Sequence, residues 1–132
     1  ALPISESRLA EPSEFSDLIE VVAKNDAGEA ASIAGTFFAG SPRIVKVNGR
    51  RIEANPEGTL LFIENIDRPG MIASYSTILG KNQVNIADMS LSRDKESGKA
   101  LTILTLDTTP GAEVLAELEK IQGISKVHCV AV

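Results

Sequence analysis

The order of its apolar segments constrains the fold of residues 59–132 more than any other feature of this sequence. Four short stretches have the apolar character of strands, and two have apolar residues at helical spacing. In chain order, the six segments are 59–65, 71–79, 85–93, 99–107, 114–121 and 124–132. Their order is strand, helix, strand, strand, helix, strand. With right-handed crossovers, this order predicts a four-stranded antiparallel sheet with both helices on one face, which is the ferredoxin-like arrangement.

The residues before this segment have a different pattern. Residues 15–57 contain short apolar stretches separated by turn residues, without a helical period, and this predicts a run of short strands. Asn48 and Gly49 favour a tight type I′ hairpin turn, because both residue types tolerate a positive φ. So few strands are marginal alone, and we expect them to complete a larger sheet. Residues 1–14 are polar and contain two prolines, which predicts a linker or arm.

The predicted fold class is therefore α+β, with a ferredoxin-like domain over residues 58–132 and a partial, mainly β segment before it. The composition excludes several classes of partner. The chain has 132 residues and a formal net charge of −5, which disfavours binding to nucleic acid. It contains no stretch of 18 apolar residues that would span a membrane. It begins with Ala1 and shows no signal-peptide pattern, so we expect a piece of a longer protein.

Residues that commonly carry catalysis are sparse. The single cysteine, Cys129, and the single histidine, His128, exclude an intramolecular disulfide and a Cys- or His-rich metal site. These neighbours on a strand point to opposite faces of the sheet, so they cannot form a Cys–His dyad with each other. The absence of a Gly-x-Gly motif excludes a dinucleotide-binding fingerprint and a P-loop. We expect no catalytic residue, no metal and no cofactor in this fragment, and no enzyme activity from it.

The junction between the strand at 59–65 and the following helix is the strongest candidate for a binding site. A helix start with free N–H groups attracts a carboxylate, and Gly70 leaves room for a small molecule near the backbone. Asp67 can pair with an ammonium group, and Asn65 offers both a donor and an acceptor. A carboxylate and an ammonium together form the polar end of an α-amino acid. The alternative is that Asp67 only caps the helix.

Three further residues complete this predicted site. The main-chain N–H groups of Met71 and Ile72, at the start of the helix, are placed to hold the carboxylate of the ligand. Asn85 opens the strand after the helix. A side-by-side dimer would bring Asn85 of one copy to the Asp67 loop of the other, so the site is expected at an interface between two copies.

A second candidate site is a cluster of positive charge. Between Ser41 and Ile52 the chain carries four cationic residues and no acidic one, namely Arg43, Lys46, Arg50 and Arg51. Arginine side chains suit the geometry of phosphate groups, so the cluster indicates a weak anion-binding surface. The alternative is a hairpin whose charges are simply solvated.

Several motifs carry a resemblance to a known family. Residues 61–106, with DRPGMI, ILGKNQVNIADM and a Gly98-x-Ala100-Leu101 hairpin, look like an ACT domain. The coupling of AGTFFAGSPRIVKVNG at 34–49 to NPEGTLLFIENIDRPG at 55–70 is similar to the C-terminal end of the long-form D-3-phosphoglycerate dehydrogenase family. The resemblance implies that residues 15–57 are the last part of an allosteric substrate-binding domain and that residues 58–132 are the ACT domain.

The resemblance also implies a function. In that family the ACT domain binds L-serine as a feedback inhibitor of serine biosynthesis, and the ligand roles carry over to Asn65, Asp67 and Asn85. The allosteric domain is expected to bind a phosphorylated hydroxy- or keto-acid, and Arg43 occupies a cationic position there. The resemblance implies a homodimer through ACT domains and a higher oligomer in the parent protein. That parent would be an NAD-dependent oxidoreductase, in the cytoplasm, or in the plastid of a plant or alga.

Two alternatives remain open at this point. An iron–sulfur L-serine dehydratase carries a similar pair of domains, so the chain is also compatible with the ACT-containing regulatory part of that enzyme. A freestanding dimerisation module without a ligand is the third possibility. Binding of amino acids separates this last possibility from the other two, and the sequence upstream of the fragment separates the first two from each other.

Overall fold

A meander of antiparallel strands forms the first of two units in the computed structural model, which describes residues 4–8 (backbone only), 18–24 and 26–132. The units are Ala1–Pro56 and Glu57–Val132. The first sheet has five strands in the order of the chain. They are β1 (Ile4–Arg8), β2 (Ile19–Lys24), β3 (Ala30–Phe38), β4 (Ser41–Val47) and β5 (Arg50–Ala54). The mainly β character predicted for this part of the chain is confirmed.

The turn between β4 and β5 has the predicted conformation. Asn48 and Gly49 have φ angles of 50° and 77°, and two consecutive positive φ values are what a type I′ turn requires. The side chain of Asn48 also accepts a hydrogen bond at Oδ1 from the backbone N–H of Ser32, at 2.9 Å. The turn is therefore fastened to the neighbouring strand β3.

Strand β1 lies within the segment that the composition predicts to be a linker or arm. Ile4–Arg8 pairs antiparallel with β2, from Ile4 opposite Ala23 to Arg8 opposite Ile19. The physical reason is that β2 would otherwise leave a row of unpaired N–H and C=O groups at an edge of the sheet. The linker prediction is therefore corrected for residues 4–8, and the rest of residues 1–14 lies outside the described residues.

The second unit has the predicted order of elements. They are β6 (Thr59–Ile66), α1 (Met71–Lys81), β7 (Ile86–Asp94), β8 (Lys99–Leu106), α2 (Ala112–Glu119) and β9 (Ile124–Ala131). The sheet runs in the order β7, β8, β6, β9, and every pair of neighbouring strands is antiparallel. The ferredoxin-like α+β fold is confirmed, and it leaves β7 and β9 as the two edge strands.

Both helices pack on the same face of this sheet. Successive residues of a strand point to opposite faces, so Leu61 and Ile63 of β6 share one face. They form a buried cluster with strand, helix and loop residues, namely Tyr75, Leu79, Val84, Leu104, Leu106, Val114 and Leu118. This packing fixes the start of α1 against the end of β6, where the candidate site lies.

The two helices α1 and α2 are too short to cross a lipid bilayer. Among the described residues, no helix has the length and apolar character of a membrane span.

Candidate functional site

The loop that joins β6 to α1 holds Asp67 against the end of β7. The backbone N–H of Asp67 donates to the carbonyl of Gly98 at 2.9 Å, which fastens the loop to the turn between β7 and β8. The Asp67 carboxylate accepts a hydrogen bond at Oδ2 from Nε of Arg93, at 2.8 Å, as part of an ion pair. Sequence reasoning missed Arg93, because two opposite charges 26 positions apart give no signal until the pairing of the strands is known.

Helix α1 begins without help from Asp67. Its N-cap is Gly70, with a φ of 87°, and no side chain in the described part of the chain caps the helix. The interpretation of Asp67 as a helix cap is therefore wrong. The first N–H groups of a helix have no intrahelical acceptor, so those of Met71 and Ile72 point out of the helix start. The Met71 side chain is buried, whereas that of Ile72 is 43% exposed.

Asn65 is buried at the end of β6, with 4% of its surface exposed. Its Nδ2 donates to the carbonyl of Ile66 at 2.7 Å. Its Oδ1 is buried and has no hydrogen-bond partner among residues 18–24 and 26–132. A buried acceptor without a partner costs about 1–3 kcal/mol. Asn65 therefore lies two positions before Asp67 in the chain, and its side chain carries a buried acceptor that the described residues leave unsatisfied.

Asn85 lies at the opposite end of β7. It is exposed, and its Nδ2 donates to Oδ2 of Asp107 at 2.7 Å. Arg93, which binds Asp67, is eight residues further along the same strand, or roughly 25 Å at the rise of an extended chain. Within one copy, the fold therefore brings Asp67 next to Arg93 and keeps Asn85 away from both.

Three of the four cationic candidate residues of the first unit lie at the hairpin of β4 and β5. Lys46 is paired with Arg51 across β4 and β5, and Arg50 is opposite Val47. Arg50 and Arg51 each already interact with other residues of the chain. Arg43, opposite Thr36, instead lines a cavity of about 360 Å³. Most of its other lining residues are apolar, among them Ile19, Val21, Ile33, Phe37, Pro42 and Ile44.

Two groups of the second unit have raised pKa values. Burial raises the pKa of the Cys129 thiol, which is half-buried against the core, and a thiol with a raised pKa is a poor nucleophile near neutral pH. Burial also raises the pKa of Tyr75, and this is opposed by a hydrogen bond to Thr102 with an O–O distance of 3.4 Å. No cluster of three or more metal-ligating side chains occurs in the part of the chain that the structure describes.

The fold and the loop together define an α+β domain with a polar loop at the start of its first helix. The family model for the ACT domain matches residues 59–123, from the start of β6 to the turn before β9. This confirms the ACT resemblance noted in the sequence, and the second unit belongs to the ACT domain family.

Curated relatives cover most of the chain. A D-3-phosphoglycerate dehydrogenase of Archaeoglobus fulgidus is 34% identical over 125 residues, covering 93% of this chain and 24% of the relative. The enzyme of the same name from Methanocaldococcus jannaschii is 33% identical over 116 residues, covering 88% and 22%. That of Bacillus subtilis is 34% identical over 88 residues, covering 67% and 17%. The chain thus spans about a quarter or less of the length of these relatives, and it belongs to the D-3-phosphoglycerate dehydrogenase family as an ACT-containing regulatory fragment.

Proposed function

We propose that this chain is the L-serine-sensing regulatory module of a D-3-phosphoglycerate dehydrogenase, and that it binds the amino acid between two copies of its ACT domain. The observation that carries this proposal is the state of Asp67. Its carboxylate is not used as a helix cap, it is held in place through Oδ2, and it lies in the loop that leads to the uncapped start of α1. An anionic side chain before a row of free N–H groups is complementary to the ammonium and carboxylate of an α-amino acid.

In the proposed complex, Asp67 holds the ammonium group, and the main-chain N–H groups of Met71 and Ile72 hold the carboxylate. Asn65 is the third residue of the site, and its unpaired Oδ1 supports this role. Buried polar atoms without a partner are rare in folded proteins, and each one calls for an explanation, of which a functional role is one.

The second copy is needed because Asn85 is far from Asp67 within one copy. Strand β7 is an edge strand of the sheet, and edge strands offer N–H and C=O groups to a new strand. If two β7 strands pair antiparallel about a twofold axis near Met89 and Ser90, the ends of the strands exchange places. Asn85 of the partner subunit then reaches the Arg93 end of β7, beside Asp67. The product is a continuous eight-stranded sheet.

Exposed apolar side chains on β7 support the same pairing. Met89 and Leu91 are each 44% exposed. They lie opposite Leu104 and Thr102 of β8, on the face of the sheet that the helices cover. An association through β7 would bury both of them, at about 25 cal/mol for each Å² of apolar surface removed from water.

The rest of the proposal concerns the parent protein. We propose that it is an NAD-dependent oxidoreductase assembled as a higher oligomer, with residues 15–57 as the last part of an allosteric substrate-binding domain. Arg43 beside its apolar cavity, with Lys46, Arg50 and Arg51 as weaker candidates, would contact a phosphorylated hydroxy- or keto-acid there. The names of the relatives support this assignment over an iron–sulfur L-serine dehydratase.

Calorimetry of the 132-residue chain with each of the twenty amino acids tests the proposed function. We expect heat of binding with L-serine and a stoichiometry at saturation of one L-serine molecule for each Asp67 loop. Binding of a different amino acid alone would assign the module to another pathway. A chain that dimerises and binds none of the twenty is a dimerisation module without a ligand.

A further inference from the structure

We propose that Arg93 is an additional ligand-binding residue, which holds the α-carboxylate of the bound amino acid while Asp67 holds its ammonium. This inference rests on the proposed function and deepens it. It makes the Asp67–Arg93 ion pair a recognition element for the zwitterion that all α-amino acids share, and not only a brace between the loop and β7.

The ion pair leaves half of each partner unused. The contact joins only Nε of Arg93 to Oδ2 of Asp67, at 2.8 Å. Within residues 18–24 and 26–132, no other hydrogen bond or ion pair involves either side chain, so Asp67 Oδ1 and both terminal nitrogens of Arg93 are available. The side chains are 57% exposed for Arg93 and 24% exposed for Asp67. A ligand therefore finds an acceptor and a two-pronged donor side by side, open to solvent.

The two groups match an α-amino acid in charge and in arrangement. The ammonium and carboxylate of such a ligand are attached to one carbon atom, so their binding partners must also be neighbours. A guanidinium forms two parallel hydrogen bonds with a carboxylate, which gives geometric selectivity as well as energy. The pair has no net charge, and neither does the zwitterion, so the complex leaves no uncompensated charge.

The backbone on both sides holds the pair in place before a ligand arrives. The Asp67 N–H is bonded to Gly98, in the turn that follows β7. Arg93 lies in β7 opposite Ala100 of β8, and Ala100 is small and buried. The two side chains are thus presented by a fastened loop and a paired strand, which reduces the ordering cost of binding.

A ligand that resembles L-serine but lacks the carboxylate tests the role of Arg93. Ethanolamine has the ammonium and hydroxyl of L-serine and lacks the carboxylate. We expect Arg93→Gln to weaken L-serine binding by about tenfold to a hundredfold, the loss for a charge-assisted hydrogen bond. Ethanolamine binding should change much less, so the ratio of the two affinities should fall by a similar factor. Arg93→Lys keeps the positive charge but cannot form two parallel hydrogen bonds with a carboxylate, so it should recover only part of the lost affinity.

Lys126→Gln is the matched control, because Lys126 is an exposed cation on β9, the other edge strand of the same sheet. It should leave both affinities unchanged. Thermal unfolding of each variant shows whether the loop remains folded, and Arg93→Lys provides the comparison if Arg93→Gln unfolds.

The outcomes separate this inference from the proposed function. If the wild-type chain binds none of the twenty amino acids, both are overturned. If it binds L-serine and Arg93→Gln binds L-serine and ethanolamine in the same ratio as wild type, only the role of Arg93 is overturned. Tighter binding of L-serine by Arg93→Gln would also overturn it, because Arg93 would then compete with the ammonium for Asp67.

Discussion

Asn85 is bonded to Asp107, with 2.7 Å between Nδ2 of the amide and Oδ2 of the carboxylate. The backbone carbonyl of Asn85 also accepts from the N–H of Asp107 at 3.0 Å, so both the main chain and the side chain of this residue are held. The bond to Asp107 uses one N–H of Nδ2, so the second N–H and the Oδ1 atom remain for a ligand or a second copy. Asp107 therefore fixes the orientation in which Asn85 presents its amide at the end of β7.

We expect Asn85→Ala to weaken L-serine binding and to reduce the effect of L-serine on dimerisation. The reason is that its contact would cross between two copies, so ligand binding and association share it. Calorimetry measures the first effect, and sedimentation velocity with and without L-serine measures the second. Arg50→Ala, in the first unit, is the control and should leave L-serine affinity nearly unchanged. An Asn85→Ala chain that binds and dimerises like wild type would remove Asn85 from the site.

Asp67→Ala should lower the affinity for L-serine by roughly tenfold to more than a hundredfold. The change removes a charge-assisted hydrogen bond to the ligand, worth about 1.5–3 kcal/mol, and each 1.4 kcal/mol is tenfold in affinity. Glu119→Ala removes an exposed carboxylate at the end of α2 and should have no effect. Calorimetry of the three chains decides the matter. If wild type and Asp67→Ala bind L-serine with equal affinity, Asp67 serves only as a partner of Arg93, and the proposed binding site is wrong.

The fragment alone should not transfer hydride with any nicotinamide cofactor. Its sequence contains no dinucleotide-binding loop. The measurement is the absorbance of the reduced nicotinamide during incubation of the purified chain with 3-phosphoglycerate. A turnover above that of a heat-denatured sample would contradict this expectation.

Much of the second unit follows from its sequence, because its elements are short and strongly patterned. The apolar run of β6 and the helical spacing from Met71 to Leu79 are local signals, and the structure agrees with both. The hairpin at Asn48 and Gly49 is equally local, since it depends on two residue types that accept positive φ.

The interactions of the site are the part that the sequence does not specify. Nothing in residues 65–70 indicates that the Asp67 carboxylate turns away from α1 toward Arg93, because that choice depends on the pairing of β7 with β8. Residues 1–14 show the same limit. Ile4–Arg8 has the composition of an arm, and it becomes a strand because β2 provides an edge for it.

Alkaline pH should destabilise the second unit through Tyr75. Its side chain is 1% exposed, and burial raises its pKa above the ordinary value of 10.0 against a smaller opposing effect of Thr102. The unfolded chain therefore loses the phenolic proton first. The contribution of Tyr75 to stability is complete well below pH 10, and it is lost as pH rises from the ordinary value through the raised pKa, by up to about 1.4 kcal/mol per pH unit.

Urea unfolding at a series of pH values measures this effect, with Tyr75→Phe as the comparison. The phenylalanine keeps most of the packing and cannot ionise, so its stability should depend less on pH above 10. Some dependence should remain, because burial also raises the pKa of Cys129. Parallel pH profiles for wild type and Tyr75→Phe would show that Tyr75 ionises as freely in the folded chain as in the unfolded one.

Substitution of two exposed apolar residues, one on each edge strand of the ACT sheet, tests which edge associates. Leu91 of β7 is 44% exposed, and Val130 of β9 is 46% exposed, so a glutamate at either position changes a similar surface. If two copies pair through β7, Leu91→Glu places two like charges near the twofold axis in a surface that becomes dry, which costs far more than the same charge in water. We expect Leu91→Glu to weaken dimerisation by at least tenfold and to reduce L-serine binding with it, since the site needs both copies. Val130→Glu should leave both unchanged. Sedimentation equilibrium over a range of chain concentrations measures the dimerisation constants. If only Val130→Glu dissociates the dimer, the interface lies on β9. Asn85 of the partner subunit would then be far from Asp67, and the proposed shared site would be wrong.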